Sequence, residues 1–221
     1  MRDFIKSSIL ENDGVESPTD QVPETKGAQT RRAILEAAIV RFGRDGYRST
    51  SVADIARDAS VGGTVAYAYF PKKESLFLAA VDEDAAAVIE EGLVTVADVP
   101  DVRRWHDTLI FTLVEAVERH PLARRLLAGL EPEVTVRVLE IPALNELRKK
   151  CTELLRTGQA AGLVRPDIDP APVANGIVAL MLSVLMSVTQ LGSQAAVTYS
   201  HDVAAVFEAA LTAPANQAPA D

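Results

Sequence analysis

Three stretches decide the fold of this chain: SVADIA at residues 51–56, ASV at 59–61 and YAYFPKKE at 67–74. Ser51 with Asp54 three residues later has the form of a capping box, which is typical of a helix start. The apolar residues that follow recur at helical spacing and predict a short second helix. Residues 60–63 include two glycines and predict a tight turn, and residues 64–69 predict a third helix that ends before Pro71.

A longer first helix precedes these two. Apolar residues between Ile34 and Phe42 lie at helical spacing, and Gly46 is placed to end that helix. Two short helices joined by a tight turn form a helix-turn-helix, whose second helix enters the major groove of DNA. The alternative is an ordinary bundle of three small helices, because one cap and one turn are weak evidence when taken alone.

In order and spacing, these motifs resemble the N-terminal domain of the TetR family of one-component transcriptional regulators. The resemblance covers residues 30–80, about a quarter of the chain. The sequence departs from the family at Gly62, where relatives usually have a Ser or Thr cap, and at Val65, where they tend to have Ser or Thr. The matching residues are Phe42, Gly46-Tyr47, Thr50-Ser51-Val52, Asp54-Ile55-Ala56, Val61, Tyr67-Ala68-Tyr69-Phe70 and Lys73-Glu74-Ser75-Leu76.

The resemblance implies an all-α fold with an N-terminal three-helix helix-turn-helix DNA-binding domain and a larger C-terminal helical domain for ligand binding and dimerisation. No strand-like alternation occurs in the remaining sequence, and prolines punctuate helical segments there. Further helices are predicted at about 72–96, 140–157, 172–191 and 195–211. The predicted domains are a disordered N-terminal tail at 1–26, the DNA-binding domain at 27–78, the ligand-binding and dimerisation domain at 79–213 and a flexible C-terminus at 214–221.

Charge is distributed unevenly along the chain. The formal net charge is −9 at pH 7, yet residues 26–78 carry nine basic and five acidic groups, a net charge of +4. The flanking segments are acidic, with a net charge of −4 over residues 1–25 and −9 over residues 79–221. Because phosphate contact requires positive charge, the basic segment coincides with the one predicted to bind DNA.

The sequence lacks signatures of catalysis, cofactor binding or metal binding. It contains no Gly-x-Ser-x-Gly elbow, P-loop or Gly-x-Gly-x-x-Gly, and His106, His120 and His201 show no zinc-site spacing. Cys151 is the single cysteine, so we expect no internal disulfide and a reducing cytoplasm. The apolar run 177–188 is shorter than the roughly 20 residues of a membrane span. We therefore expect no enzyme, no cofactor, no metal and no membrane partner.

The resemblance implies DNA contacts from Tyr67, Tyr69 and Lys73, which match family positions that commonly touch DNA or its phosphates. Phe70 is instead expected to pack in the small core. Helix starts and loops favour further contacts with the DNA backbone. The full predicted set is Arg31, Arg48, Thr50, Ser51, Gly63, Thr64, Val65, Ala66, Tyr67, Tyr69, Lys72 and Lys73.

The predicted third helix lacks the usual base-reading side chains. Residues 62–68 contain no Arg, Lys, Asn or Gln, which are the residues that bond guanine or adenine in bidentate fashion. We hypothesise that apolar side chains read thymine methyl groups and groove shape, and that Thr64 gives one hydrogen bond. The apolar readers would be Val65, Ala66 and Ala68, and Arg48, Lys26 or Arg31 would add specificity from outside the helix.

The last two predicted helices carry wide apolar stripes at three- and four-residue steps. Two such helices from each subunit would suit a four-helix dimer interface, which is also how the family dimerises. The alternative is that both stripes cover the core of their own domain. The predicted interface residues are Val173, Ile177, Val184, Val188, Val203, Val206 and Phe207, and Val184 and Val206 are expected to face outward.

A few polar groups in an apolar cavity are the usual pattern for a ligand site. The middle of the chain offers such residues, although any one of the apolar ones is more commonly plain core. Aromatic residues are only 5% of the chain, which favours an aliphatic or otherwise lipophilic ligand. The predicted pocket residues are Trp105, Leu109, Phe111, His120, Arg124, Leu127, Leu147, Cys151 and Met181.

Together these features predict a homodimeric transcriptional regulator, most simply a repressor, that binds a palindromic DNA operator and is released by a small-molecule effector. Two alternatives stand beside it. One is a ligand-independent DNA-binding protein with the same N-terminal domain. The other is a helical enzyme or carrier in which the DNA-binding motif is vestigial, against which the missing catalytic motifs argue.

Overall fold

A computed structural model describes residues 25–97, 105–132 and 139–212, with side chains at all of these positions except 96–97, 105–110 and 193–201. Within these ranges every helix is an α-helix and no strand occurs, so the predicted all-α fold is confirmed. The predicted tail and the C-terminal segment from residue 214 lie outside the described residues. The helices are α1 (Lys26–Ser49), α2 (Val52–Asp58), α3 (Gly63–Tyr69), α4 (Lys73–Ala97), α5 (Trp105–Arg119), α6 (Pro121–Leu127), α7 (Pro142–Ala160), α8 (Pro170–Leu191) and α9 (Ser193–Leu211).

The predicted boundaries differ from the observed ones by a few residues, for local reasons. Helix α8 begins at Pro170 rather than 172, because the Asp169 side chain caps it by accepting a hydrogen bond from the Ala171 amide at 3.1 Å. Gly46 was expected to end the first helix. Instead α1 is kinked there, with Gly46 at φ 83° and ψ 167°, and the helix resumes until Ser49.

Packing divides the described chain into two compact units. We call residues 25–90, 116–132 and 139–144 the N-terminal unit, and residues 91–97, 105–115 and 145–212 the C-terminal unit. The N-terminal unit therefore holds α1, α2, α3 and α6 together with most of α4. It is larger than the DNA-binding segment predicted at 27–78, because α6 packs against α1.

Three aromatic rings form the centre of the N-terminal unit. Phe42 and Phe77 meet edge to face, with centroids 5.1 Å apart, and Tyr47 meets Phe77 at 4.9 Å. Phe42 and Phe77 are completely buried, as are Ile34 and Ile55. Such aromatic pairs contribute about 0.5–1.5 kcal/mol beyond the area that they bury, so they fix α1 against α4.

The buried carboxylate of Asp84 on α4 holds the start of α6. One of its oxygens lies 2.8 Å from Nδ1 of His120, and the other accepts hydrogen bonds from the amides of Leu122 at 3.1 Å and Ala123 at 2.8 Å. His120 is the N-cap residue of α6, but its own side chain makes no capping bond. Asp84 therefore takes the place of an N-cap side chain, since it satisfies amides that the first turn of a helix leaves unpaired.

Helix α6 and the residues after it meet the C-terminal end of α1. A Cβ atom on Gly43 would lie 2.7 Å from Cβ of Pro121, so the two helices approach closely there. The Glu131 carboxylate is buried, accepts a hydrogen bond from the Tyr47 amide at 3.0 Å and pairs with Nε of Arg125 at 2.7 Å. The kink of α1 is thus bonded directly to the segment that follows α6.

Described residues of the C-terminal unit form two apolar clusters. One gathers Leu155, Val164, Ala174 and Leu211, and the other gathers Val184, Val188 and Val203. Phe207 packs against both clusters. Both ends of α8 are therefore attached to this core, mostly through one side of the helix.

Helix α8 is more apolar than its burial requires. Its most apolar window has a mean hydropathy of 1.9, and one third of that window is buried within the chain. The helix has 22 residues, so by length and composition alone it is long and apolar enough to cross a membrane, as core helices of soluble proteins can also be. The apolar run 177–188 is too short for a span, but it lies inside this longer helix. The helical residues on either side of the run are uncharged, so the whole helix is apolar or neutral.

The α1 kink can be tested by substituting alanine for Gly46. Its backbone lies in a region that is essentially closed to L side chains and costs roughly 1–3 kcal/mol. A Cβ atom there would also collide with the Arg125 guanidinium and the Glu131 carboxylate. We expect Gly46→Ala to lower the free energy of unfolding by more than about 2 kcal/mol in urea denaturation.

Gly63→Ala is the matched control for this prediction. A Cβ atom on Gly63 would meet nothing within 4 Å, so its stability should stay the same or rise. Equal stability of the two variants would contradict the constraint assigned to Gly46.

Candidate nucleic-acid interface

Ser51 caps the start of α2 as predicted, although the Asp54 carboxylate bonds the Ser51 hydroxyl and not the Ser51 amide that a full capping box uses. Oγ of Ser51 accepts a hydrogen bond from the Asp54 amide at 3.1 Å and donates one to the Asp54 carboxylate at 2.7 Å. The bond from Ser51 lowers the pKa of Asp54, and Arg57 contributes to the same effect. Ser51 is exposed, so its side chain holds the helix and lies at the surface of the unit.

The turn between α2 and α3 is closed by backbone hydrogen bonds. The Val61 amide donates to the Ala56 carbonyl at 2.9 Å, and the Ser60 amide donates to the Arg57 carbonyl at 3.1 Å. Ser60 has φ 56°, the left-handed conformation that commonly ends a helix. This turn sets the direction of α3, whose N-cap Gly62 makes no side-chain hydrogen bond.

Helix α3 presents one face to solvent and buries the other. Ala66 is completely buried and Phe70, just past the helix, is 5% exposed. The expected packing of Phe70 is confirmed, whereas the expected DNA contact of Ala66 is wrong, because its methyl group lies in the core. The exposed residues of the helix are Gly63, Thr64, Val65, Tyr67, Ala68 and Tyr69.

Thr50 also departs from its predicted role. It is 3% exposed, and its hydroxyl donates a hydrogen bond to the Gly46 carbonyl at 2.8 Å. This hydrogen bond gives the Gly46 carbonyl a partner at the kink of α1. The prediction that this side chain contacts the DNA backbone is therefore wrong for this conformation.

Lys73 is held between two groups of the same unit. Its ammonium donates a hydrogen bond to the Arg48 carbonyl at 3.3 Å and lies 4.5 Å from the centre of the Tyr47 ring. Partial burial lowers the pKa of Lys73. An ammonium has three donors, so one bond to Arg48 leaves donors that can face a phosphate.

Other basic side chains lie at the surface of this unit. Lys26, Arg31, Arg48 and Lys72 are exposed, and the Arg31 guanidinium lies 5.3 Å from the centre of the Phe70 ring. Arg31 stands near the start of α1, and Lys72 directly precedes α4.

Several arginines of the unit are neutralised by neighbouring carboxylates. Arg41 binds Asp58 through two nitrogens, one of them at 2.9 Å, and this bond holds the pKa of Asp58 below its usual value. Arg44 binds Asp45 in the same bidentate way, with both contacts at 2.8 Å. Positive charge that can reach a ligand is therefore supplied mainly by side chains at the ends of α1 and before α4.

The predicted pocket residues are divided between the two units. Phe111, Leu147, Cys151 and Met181 belong to the C-terminal unit, in which Met181 is buried and Phe111 is 50% exposed. Cys151 packs against the cluster around Ala174, so the structure gives it a core role. The side chains of Trp105 and Leu109 lie outside the described residues.

The other three pocket residues belong to the N-terminal unit. His120 is engaged by Asp84, and Leu127 is half-buried. Arg124 is exposed and pairs with Glu118 at 3.3 Å, so it lies at the surface. A role for these three residues in ligand binding stays a prediction.

Most of the predicted interface residues face the core of their own unit. Val184, Val188 and Val203 are buried there, and Val173 and Ile177 are half-buried. The expectation that Val184 faces outward is therefore wrong, because the apolar stripe of α8 is the stripe that packs inside the subunit. Phe207 is half-buried against both clusters, and Val206 is 56% exposed.

Three carboxylates that bond distant helices were not predicted from the sequence. Asp82 accepts a hydrogen bond from the Ala143 amide at 2.8 Å, and Asp84 and Glu131 are buried acceptors in the same unit. One signal was present in the sequence, since Asp82 and Asp84 interrupt an alanine-rich apolar segment. Their partners lie 36 to 61 residues away, so spacing alone does not identify them.

Comparison with known proteins supports the arrangement of these helices. The model of bacterial regulatory proteins of the tetR family matches residues 34–80. The HTH-type transcriptional repressor NicS of Pseudomonas putida is 28% identical over 148 residues, which are 63% of this chain and 68% of that protein. The HTH-type transcriptional repressor SCO4008 of Streptomyces coelicolor is 29% identical over 150 residues, which are 65% of this chain and 71% of that protein.

A solved structure extends the similarity over most of the fold. Thermus thermophilus FadR, a TetR family transcriptional repressor in complex with lauroyl-CoA, covers 86% of this chain and 100% of its own, with a TM-score of 0.61 and 23% identity. The similarity thus reaches beyond α1–α3 to the helices that follow them.

The environment of Cys151 predicts slow thiol chemistry. Burial raises the pKa of the Cys151 thiol to about 11. The reactive thiolate is then scarce below that pH. We expect the native protein to react with iodoacetamide at pH 8 at least about tenfold more slowly than protein unfolded in guanidinium, measured by mass spectrometry. Equal rates in the two states would contradict the core position.

Proposed function

The chain belongs to the TetR family of bacterial regulatory proteins, and we propose that it is a homodimeric repressor that binds a palindromic operator and is released by a lipophilic effector. The observation that carries this proposal is the exposed face of α3, presented by the capped helix α2 and the turn at Ser60. Each subunit would place α3 in a major groove, as second helices of this motif do. Acting on bacterial DNA, the protein would work in the cytoplasm.

Phosphate contacts would position α3 on the duplex. The exposed Arg31 lies near the start of α1 and the exposed Arg48 near its end, while Lys72 and the partly buried Lys73 lie at the start of α4. Basic side chains at several helix ends suit contact with the DNA backbone on either side of a groove. Ser51, Tyr67 and Tyr69 add exposed hydroxyl groups on the same unit. Such contacts supply affinity without reading sequence.

The Lys73 contact predicts a change in salt dependence. Replacing Lys73 by alanine should weaken binding to all DNA sequences alike, because a phosphate contact carries no sequence information. The slope of log affinity against log salt should fall by about 0.9 for one lost phosphate contact. Fluorescence anisotropy with labelled duplexes over a salt series measures both quantities.

Lys149→Ala is the control for Lys73→Ala. Lys149 is an exposed lysine on α7 and pairs with Glu146 at 3.4 Å. Lys149→Ala should leave the affinity for DNA and the slope of log affinity against log salt unchanged. A folded Lys73→Ala protein with the wild-type slope would rule out the phosphate contact.

Dimerisation through α8 and α9 would explain the apolar surface of these helices. The exposed side of α8 contains small residues such as Gly176, Ala179 and Ser183, which allow close approach of a second helix, and Leu191 is 69% exposed at its end. On α9, Val206 is 56% exposed. We propose that these residues, rather than the buried valines, meet the second subunit. A dimer would then present two copies of α3 to a palindrome.

Substitution of Val206 tests the interface without disturbing the core. Val206→Arg should give monomers in analytical ultracentrifugation, because a charge would be buried against the partner. Affinity for the operator should fall in the same variant, since a monomer has one copy of α3 and makes half of the contacts with DNA. Leu130→Arg, at an apolar residue of the N-terminal unit that is 57% exposed, should remain dimeric. A dimeric Val206→Arg protein would exclude this face.

The proposed effector is an aliphatic molecule bound among apolar residues of the C-terminal domain. FadR of Thermus thermophilus binds lauroyl-CoA, and this chain has few aromatic residues for a stacking site. The effector must bind the released state more tightly than the DNA-bound state, because only a difference in affinity shifts the equilibrium. Lauroyl-CoA and free lauric acid are therefore suitable first probes.

Within the N-terminal unit, α6 is bonded to the kinked end of α1. Pro121 lies against Gly43 of α1, and Glu131 bonds the Tyr47 amide. A displacement of α6 would therefore be transmitted to the kinked end of α1, and from there to the orientation of α3. The proposal needs no contact between the effector and the DNA-binding helices.

Trp105 is the single tryptophan and reports on the predicted pocket. A probe that releases the operator should quench or shift Trp105 fluorescence, and the Trp105→Phe protein should respond to it less. Release of the operator with unchanged Trp105 emission and a normal Trp105→Phe response would place the pocket elsewhere. If no probe affects binding while the operator complex forms normally, the alternative of a ligand-independent DNA-binding protein is favoured.

A further inference from the structure

The outward face of α3 carries no charged side chain. At 100° per residue, Thr64 and Ala68 lie one turn apart at the centre of the face opposite the buried Ala66. Val65 flanks this pair on one side and Tyr67 on the other. Val65 is 42% exposed and Tyr67 is 51% exposed. The centre of the face is thus two methyl-bearing side chains and one hydroxyl.

None of these side chains can read guanine or adenine in the usual way. Bidentate bonds to guanine need Arg or Lys, and those to adenine need Asn or Gln. Thr64 has one hydroxyl, and the Tyr67 hydroxyl stands at the edge of the face. What the face does offer is apolar contact, which in the major groove matches the 5-methyl group of thymine.

Neighbouring arginines are already committed elsewhere in the unit. Arg41 binds Asp58, and Arg44 binds Asp45. The guanidinium groups of Arg41 and Arg44 are therefore not available to bond bases at the centre of the α3 face.

We infer that α3 recognises its half-site mainly through thymine 5-methyl groups, which contact Val65 and Ala68, so that the operator carries A·T pairs under the centre of this helix. The inference rests on the proposed function, because it names the DNA that the same surface selects. It differs from the sequence-based hypothesis in excluding Ala66, whose methyl group is buried.

Deoxyuridine is the direct probe, because it removes the thymine methyl group and leaves the base-pair hydrogen bonds unchanged. The operator is first selected from random duplex DNA with the full-length protein. Each thymine of the selected half-site is then replaced by deoxyuridine in turn, and affinity is measured by anisotropy. Loss of one buried methyl group should weaken binding by about fourfold at the contacted positions.

Val65→Ala assigns the contact to its residue. The variant should weaken binding to the thymine operator, and one deoxyuridine position should then have no further effect, as expected for two partners of one contact. Val40→Ala, at a valine of α1 that is 58% exposed, should leave affinity and every deoxyuridine effect unchanged. Thermal unfolding of both variants confirms that they are folded.

The outcomes separate the inference from the proposed function. Deoxyuridine effects that depend on Val65 support the inference. A specific operator that tolerates every deoxyuridine but loses affinity when 7-deazaguanine replaces its guanines would overturn the inference and leave the proposed function intact. Failure to select any preferred sequence would overturn the proposed function, and the inference with it.

Discussion

The bond from the Tyr47 amide to the buried Glu131 carboxylate joins the DNA-binding helices to the rest of their unit. It forms only because Gly46 adopts a conformation closed to other residues, which turns the chain so that the amide faces Glu131. Arg125 completes the site by neutralising the carboxylate. A buried carboxylate without these partners would cost several kcal/mol, so the three groups form together or not at all. These bonds among Tyr47, Glu131 and Arg125 position the end of α1 and the Tyr47 ring of the aromatic core.

The reading surface follows from the same core. Phe70 and Ala66 anchor α3 inside, Ser51 and Asp54 fix the start of α2, and the Ser60 turn joins the two helices. With its inner face fixed, α3 can present only the side chains that point outward, and these are small or aromatic rather than basic. Charge for phosphates comes from α1 and from the residues before α4. Affinity and sequence reading are thus supplied by different parts of the unit, a division that is general among DNA-binding proteins.

Local patterns in the sequence predicted the local structure well. The Ser51 cap, the turn before α3 and the packing of Phe70 follow from short-range rules of capping and periodicity, and all three occur in the structure. Side-chain direction was less predictable. Ala66 and Val184 belong to apolar stripes that fit either a core or a contact surface, and only tertiary packing decides between them. Partners such as Glu131 and Tyr47 are 84 residues apart, so no pattern along the chain reveals their bond.

Footprinting of the full-length protein on the DNA that flanks its own gene, with unrelated DNA in excess, shows whether two copies of α3 read one palindrome. We expect one protected segment with two inverted half-sites whose centres lie about 34–36 Å apart or a multiple of that distance, since two copies of α3 must enter successive major grooves on one side of the duplex. Protection that is absent, or spread evenly along the flanking and unrelated DNA, would contradict this expectation.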